Sequence, residues 1–166
     1  EITERQNLLL QTPESFNARF NVNVKVNCEA VLIDRKNKEV KVKSLLTGTE
    51  FIEKYDKLLL SPGAEPVKPP IPGIENKKIF TLRNMEDTDK IYTYIKENAP
   101  KKAVVVGGGY IGLETAENLK HRGIFTTVVE ALPQVMGILD FELAAIVHQH
   151  LQQKGLEVYL GDGVKS

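Results

Sequence analysis

The chain has one cysteine, no tryptophan and no net charge: 22 lysines and arginines balance 22 aspartates and glutamates. A lone cysteine excludes an internal disulfide framework and suits a reducing compartment, so a cytoplasmic location is expected. Charge balance, with no basic cluster beyond a few residues, argues against nucleic acid or an anionic membrane as partner. No apolar run approaches the length of a membrane span, and the first residues carry no secretory pattern. Cys28 opens a strand-like run with nothing adjacent to lower its pKa, so it reads as structural. Histidine is scarce too. His148 and His150 are two apart on a predicted helix and face different ways, and His121 sits near a helix end; no metal site is expected.

What the chain does contain is glycine in an informative place. The run Val104-Val105-Val106-Gly107-Gly108-Gly109-Tyr110-Ile111-Gly112 joins an apolar strand pattern to a helix pattern, and Gly107, Gly109 and Gly112 fit G-x-G-x-x-G. In that pattern the first glycine permits a tight turn and the second lets a pyrophosphate approach the backbone. The third lets the helix pack closely on its strand. The pyrophosphate would sit on free N–H groups at the helix start, where the helix dipole favours negative charge. Glycine spacing alone is weak evidence, but its surroundings agree. Ala103 to Val106 read as a strand buried on both faces. Gly112, Ala116 and Leu119 form a small-residue stripe at i, i+4 and i+7. Glu114 and Glu117 lie toward the helix start, Lys120, His121 and Arg122 toward its end, and Gly123 follows as its stop. Phe125 to Val129 make a second strand ending at Glu130, 18 residues beyond Gly112. A carboxylate there is placed to bind a ribose 2′-hydroxyl and repels a 2′-phosphate. Ala131, Leu132 and Pro133 offer no cation to receive such a phosphate. The site is therefore expected to take NAD(H) over NADP(H); the alternative is a glycine-rich turn in an unrelated α/β protein.

Other segments supply the organisation. Thr12 is a candidate cap, and Pro13 the first residue, of a short helix with Phe16 and Phe20 on one face. Val22, Val24 and Val26, then Ala30 to Ile33, then Val40 and Val42 alternate or cluster as strands of a small antiparallel meander finished by Phe51 and Ile52. Leu58-Leu59-Leu60 running into Ser61-Pro62-Gly63 predicts a buried parallel strand with a close turn at its tip. Pro66, Pro69, Pro70, Pro72 and Gly73 make a stiff connector. Asn84 can cap a helix with Met85, Thr88, Ile91, Tyr92 and Ile95 on one side, stopped by Pro100. Asp140 can cap another with Leu143, Ile146, Val147 and Leu151 inward, before a third strand over Leu156 to Leu160. The expected fold class is α/β, with a Rossmann-like, doubly wound NAD-binding half in 83–166 after a distinct segment in 1–82.

Leu8 through Phe16, Tyr55 through Ala64, Pro69 to Gly73, Phe80 through Asn84 and Val104 through Ala116 together resemble the flavin-dependent pyridine nucleotide–disulfide oxidoreductases. Within that family they are most similar to the coenzyme A-disulfide reductase and NADH oxidase branch. The resemblance is collinear over nearly the whole chain. It implies that 1–82 are a partial FAD-binding domain and 83–166 an NAD(H)-binding domain cut short at its C-terminus. It implies that Gly107, Gly109, Ile111 and Gly112 form the NADH pyrophosphate turn and that Tyr110 is the mobile aromatic covering the flavin. By the same resemblance Glu114 lies near the nicotinamide carboxamide and Glu130 binds the ribose. Ser61, Pro62 and Gly63 would stand beside the FAD pyrophosphate, and Ala30 where strand backbone meets the FAD adenine. From the residues alone other readings stay open. Tyr110 could be a helix-start aromatic packed on a neighbouring domain, Glu114 a first-turn carboxylate favoured by the helix dipole, and Ser61-Pro62-Gly63 a plain turn.

A full enzyme of this kind would pass electrons from NADH through FAD to a disulfide, persulfide or oxygen, and would be a homodimer. Its redox cysteine would precede Glu1. The chain opens on Glu1 rather than Met and closes at Ser166 just after a strand-like run, so it is expected to be an internal portion, inactive alone. Two rival readings are a non-catalytic nucleotide-binding sensor or docking module, and a ferredoxin or rubredoxin reductase on the same scaffold.

Overall fold

The computed structural model describes residues 10–165, so the part of the resemblance carried by Leu8 and Leu9 lies outside them. Elements follow in the order α1 (Pro13–Phe20), β1 (Cys28–Asp34), β2 (Glu39–Ser44), β3 (Glu50–Lys54), α2 (Met85–Asn98), β4 (Lys102–Val106), α3 (Tyr110–His121), β5 (Phe125–Glu130), α4 (Phe141–Gln153) and β6 (Glu157–Leu160). The chain separates into two compact units, one ending at Gly63 and the other starting at Ala64. Residues 64–82 thus cluster with the second unit, where the Arg83 Nε–H donates to the Ala64 carbonyl at 3.0 Å.

In the first unit, α1 starts with a reciprocal cap. The Ser15 N–H donates to the Thr12 hydroxyl while the Thr12 N–H donates to the Ser15 hydroxyl, and Pro13 fills the first helical position. Phe16 and Phe20 meet with ring centroids 4.8 Å apart. β1, β2 and β3 form an antiparallel meander in that order, with a bulge between Ala30 and Leu32. At its first turn the Asp34 carboxylate accepts the N–H groups of Lys36 and Asn37 and the Asn37 side-chain amide. The Asn37 backbone N–H and side chain hold that carboxyl below its ordinary pKa. Gly48, at φ +73°, supplies the left-handed residue of the second turn.

Two expectations fail in this unit. Val22, Val24 and Val26 lie outside every strand, and β1 starts only at Cys28. Leu58 to Leu60 form no strand, and Leu59 is 88% exposed. A parallel strand buried on both faces needs paired neighbours and covering layers. No described strand pairs with this run.

The second unit holds the hydrophobic core, made of Val105, Ala116, Val128, Val135, Leu151 and Leu156. Strands β4, β5 and β6 are parallel and adjacent in that order, with Val105 opposite Val128 and Val128 opposite Val158. Parallel pairing requires a crossover, and here each one contains a helix. Both helices contribute to the same core, α3 through Leu113, Ala116 and Leu119 and α4 through Val147 and Leu151. They therefore cover one face of the sheet. The other face corrects the reading of β4 as buried on both sides: Val104 and Val106 are 63% and 65% exposed. On α4 the inward positions are Ala144, Val147 and Leu151, while Leu143 and Ile146 point to solvent. The apolar stripe of that helix is wider than the strip that packs.

Asn84 caps α2 by accepting the Asp87 N–H at 2.9 Å. Burial penalises the charged form of Asp87, but hydrogen bonds from Lys90 and the Arg83 and Asn84 backbone outweigh it and hold the carboxyl low. The half-buried face of α2 carries Met85, Ile91, Tyr94 and Ile95. Tyr94 packs on Phe80 at 5.1 Å, whereas Tyr92 is exposed beneath the Arg122 guanidinium. Ala99, left-handed at φ +42°, ends the helix just before Pro100.

Candidate functional site

The glycine-rich turn between β4 and α3 gives each motif glycine a different environment. Gly107 has φ +105°, a conformation that side-chain-bearing residues rarely adopt, and its N–H extends the β4–β5 ladder by donating to the Val129 carbonyl at 2.8 Å. Gly112 is a packing glycine. A Cβ built there would lie 1.9 Å from the Gly107 carbonyl oxygen, so the first turn of α3 rests directly on the loop that leads into it. Gly109 differs from both. It is the N-cap of α3 at φ −82°, and a Cβ on it would meet nothing within 4 Å. Among the described residues no contact demands glycine at 109. The open space beside its backbone is the space an approaching pyrophosphate would need.

No side chain caps α3. Its first-turn N–H groups lack intrahelical acceptors, as in any helix, and so suit an anion at the helix start. Tyr110 and Ile111 are exposed there. Glu114 is exposed, four residues after Tyr110 and so on the same helix face. It lies beyond the first turn, which carries no acidic residue, so the reading of Glu114 as a first-turn carboxylate does not hold.

Glu130 closes the site from the other side. At the end of β5 its Oε2 accepts the Gly108 N–H at 2.6 Å, and its Oε1 accepts the Leu132 N–H at 2.8 Å. The acid 18 residues past the motif is thereby brought onto the glycine turn itself. Each oxygen keeps acceptor capacity beyond its one N–H. Three further residues take part without any prior signal from spacing. Gly108 is buried; its carbonyl accepts the Met136 N–H at 2.8 Å, and Val135 is fully buried beside it. Met136 adopts φ +49° to make that bond. A third consecutive glycine, at a position the motif leaves free, was the one available hint.

These residues fit a dinucleotide: open backbone at Gly109 and the start of α3 for the pyrophosphate, and Glu130 for a ribose hydroxyl. The flavin residues are a different matter. Ala30 is exposed within β1, paired with Val42, and Ser61, Pro62 and Gly63 are exposed outside any element, Gly63 at φ +75°. Within their own unit they do not enclose a flavin. Among the described residues no group of three or more His, Cys, Asp or Glu side chains could hold a metal ion, and no helix is long and apolar enough to cross a membrane. His148 is half-buried with its Nδ1 unpartnered, and His150 is exposed.

Known proteins resemble the chain throughout. It is 40% identical over 154 residues to an NADH oxidase of Methanocaldococcus jannaschii, covering 92% of this chain and 34% of that protein. It is 36% identical over 165 residues to a coenzyme A disulfide reductase of Staphylococcus haemolyticus, covering 99% of this chain and 37% of the other. The crystal structure of reduced Bacillus anthracis CoADR-RHD matches with a TM-score of 0.94 and 48% identity, over 99% of this chain and 30% of that one. The chain thus spans about a third of the length of the relatives it matches. Residues 3–166 match the family model described as pyridine nucleotide-disulphide oxidoreductase, and the chain belongs to that family.

Proposed function

We propose that this chain is the NADH-binding portion of an FAD-dependent oxidoreductase of the coenzyme A-disulfide reductase or NADH oxidase type. Residues 83–166 carry the NAD(H) site, and 1–82 contribute to a flavin domain. The observation that carries the reading is the Glu130 carboxylate seated 2.6 Å from the Gly108 N–H, inside the glycine turn. An acid at that place accepts ribose hydroxyls and repels a 2′-phosphate. The names of the relatives, an NADH oxidase and a coenzyme A disulfide reductase, support the nucleotide and a disulfide as the class of acceptor.

In the whole enzyme, NADH would be the hydride donor and a bound flavin would supply the electron-accepting chemistry. The chain's own residues bind and orient. Gly109 and the first turn of α3 receive the pyrophosphate, Ile111 flanks it, and Glu130 holds the adenosine ribose. Glu114 anchors the nicotinamide end, and Tyr110, exposed at the helix start, is free to move aside for the ring. Nucleotide titration tests this directly. NADH is expected to bind well ahead of NADPH, and Glu130→Ala to narrow the gap. Equal affinities for the two nucleotides in the unmutated chain refute the proposal.

A further inference from the structure

We propose that Gly108, which the dinucleotide motif leaves free, is a positioning residue that sets nucleotide selectivity by pinning the Glu130 carboxylate. This rests on the NADH reading above. A glutamate side chain with free torsions can swing away from an incoming phosphate, and then its charge discriminates weakly. Here it cannot swing freely, because both oxygens are tied to backbone N–H groups of two different segments, Gly108 and Leu132. Rotating it out to admit a 2′-phosphate breaks both bonds and leaves the buried Gly108 N–H without an acceptor. The ribose hydroxyls of NADH need no such movement, since each carboxylate oxygen retains a lone pair. The pin therefore penalises NADPH and leaves NADH unaffected.

Any side chain at 108 crowds this arrangement. A Cβ there would lie 3.1 Å from Val135 Cγ1, 3.3 Å from Glu130 Cβ and 3.3 Å from Glu130 Oε2, all tighter than ordinary van der Waals contact. Val135 is fully buried and has little room to give. The loop behind it is held by the Met136 N–H bond to the Gly108 carbonyl. The partly buried glutamate is the group left to move. A methyl at 108 thus dislodges the carboxylate whose placement sets selectivity, and it does so without altering any charge.

The test combines two readouts on the full chain. In the ligand-free protein the Gly108 amide proton, donated to a carboxylate at short range, resonates far downfield and moves upfield in Glu130→Ala. In titrations, Gly108→Ala lowers the NADH-over-NADPH preference by about tenfold, the size expected for losing one charge-assisted hydrogen bond. Gly108→Ala/Val135→Ala removes the contact with Val135, leaves the one with Glu130, and shows the same loss. Glu130→Asp keeps the charge but is one methylene too short to bridge both N–H groups. It also loses preference, and it decides the matter should the glycine variants fail to fold. A merely structural role for Gly108 weakens both nucleotides equally. An unchanged preference in the folded variants, or a Gly108 amide unmoved by Glu130→Ala, overturns the pin. Binding of neither nucleotide by the unmutated chain overturns the NADH reading instead and the selectivity role with it, while the amide still reports whether the bond exists.

Discussion

The three glycines of the turn should fail in different ways, and the contrast between Gly112→Ala and Gly109→Ala measures their division of labour. At 112 the new methyl starts 1.9 Å from the Gly107 carbonyl oxygen, and it must recede to about 3.0 Å before the contact resembles any real one. The first turn of α3 must therefore ride about an ångström off the loop beneath it. Overpacking of this kind costs about 1–3 kcal/mol. For a chain of this length each kcal/mol lowers the melting temperature by roughly 2–4 °C, so a cost of about 2 kcal/mol gives a drop of roughly 4–8 °C. At 109 the methyl enters open space at a φ of −82° that alanine adopts readily. Alanine caps helices less well than glycine, but it reduces the freedom of the unfolded chain, so the net change is within about 1 kcal/mol. That methyl instead stands where the pyrophosphate would lie, and NADH affinity should fall at least about tenfold, the loss of more than one good hydrogen bond. Thermal denaturation followed by circular dichroism, with NADH titration at one temperature, reads both quantities. The assignment of tasks is wrong if Gly109→Ala destabilises as strongly as Gly112→Ala, or if it binds NADH like the parent chain.

Three further outcomes are expected. Leu151→Ala removes a side chain from the centre of the core under β6 and should cost about 2–5 kcal/mol in denaturant titrations; a loss below about 1 kcal/mol contradicts that packing. Asp34 has a lowered folded pKa, so its stabilisation of the first meander turn is complete above the ordinary carboxylate value and disappears as pH falls through the folded one. The protection of the Lys36 and Asn37 amides, measured against the intrinsic exchange rate at each pH, should therefore fall below about pH 4, and protection indifferent to acid there argues against the turn bonds. Thr12→Ala breaks the reciprocal cap of α1, a helix without buried residues, and should cost about 1 kcal/mol of local helix stability. Unchanged amide protection along 13–20 would speak against the cap.

What could be read from sequence was local chemistry. The cap residues Thr12 and Asn84, the stop at Gly123 and the glycine turn depend on a few neighbouring dihedrals and hydrogen bonds, and they occur as expected. The parallel β4–β5–β6 order follows from the strand–helix–strand periodicity. What could not be read was which apolar surfaces find a partner. Val104, Val106, Leu143 and Ile146 carry the same pattern as buried residues, yet the faces they occupy have nothing over them among the described residues. The triple leucine at 58–60 has a strand's composition without a strand to pair with. At the site, the spacing to Glu130 was legible, but its attachment to Gly108 was not. That bond depends on the Met136 loop folding back, with a backbone angle that no apolar periodicity encodes.

That fold-back also bears on how the site comes into being during synthesis. Gly107 donates to Val129, and Gly108 bonds to Glu130, 22 positions on, and to Met136, so the hydrogen bonds of these two glycines are made within one stretch of chain. Contacts of such small sequence separation close quickly and incur little loop-closure entropy. The glycine bonds of the nucleotide cradle can therefore form once this stretch leaves the ribosome, and the Gly161 and Asp162 N–H groups, which bond the Leu132 and Glu130 carbonyls, complete it later. NADH present at that moment would act as a ligand for the nascent unit, favouring its folded form by mass action.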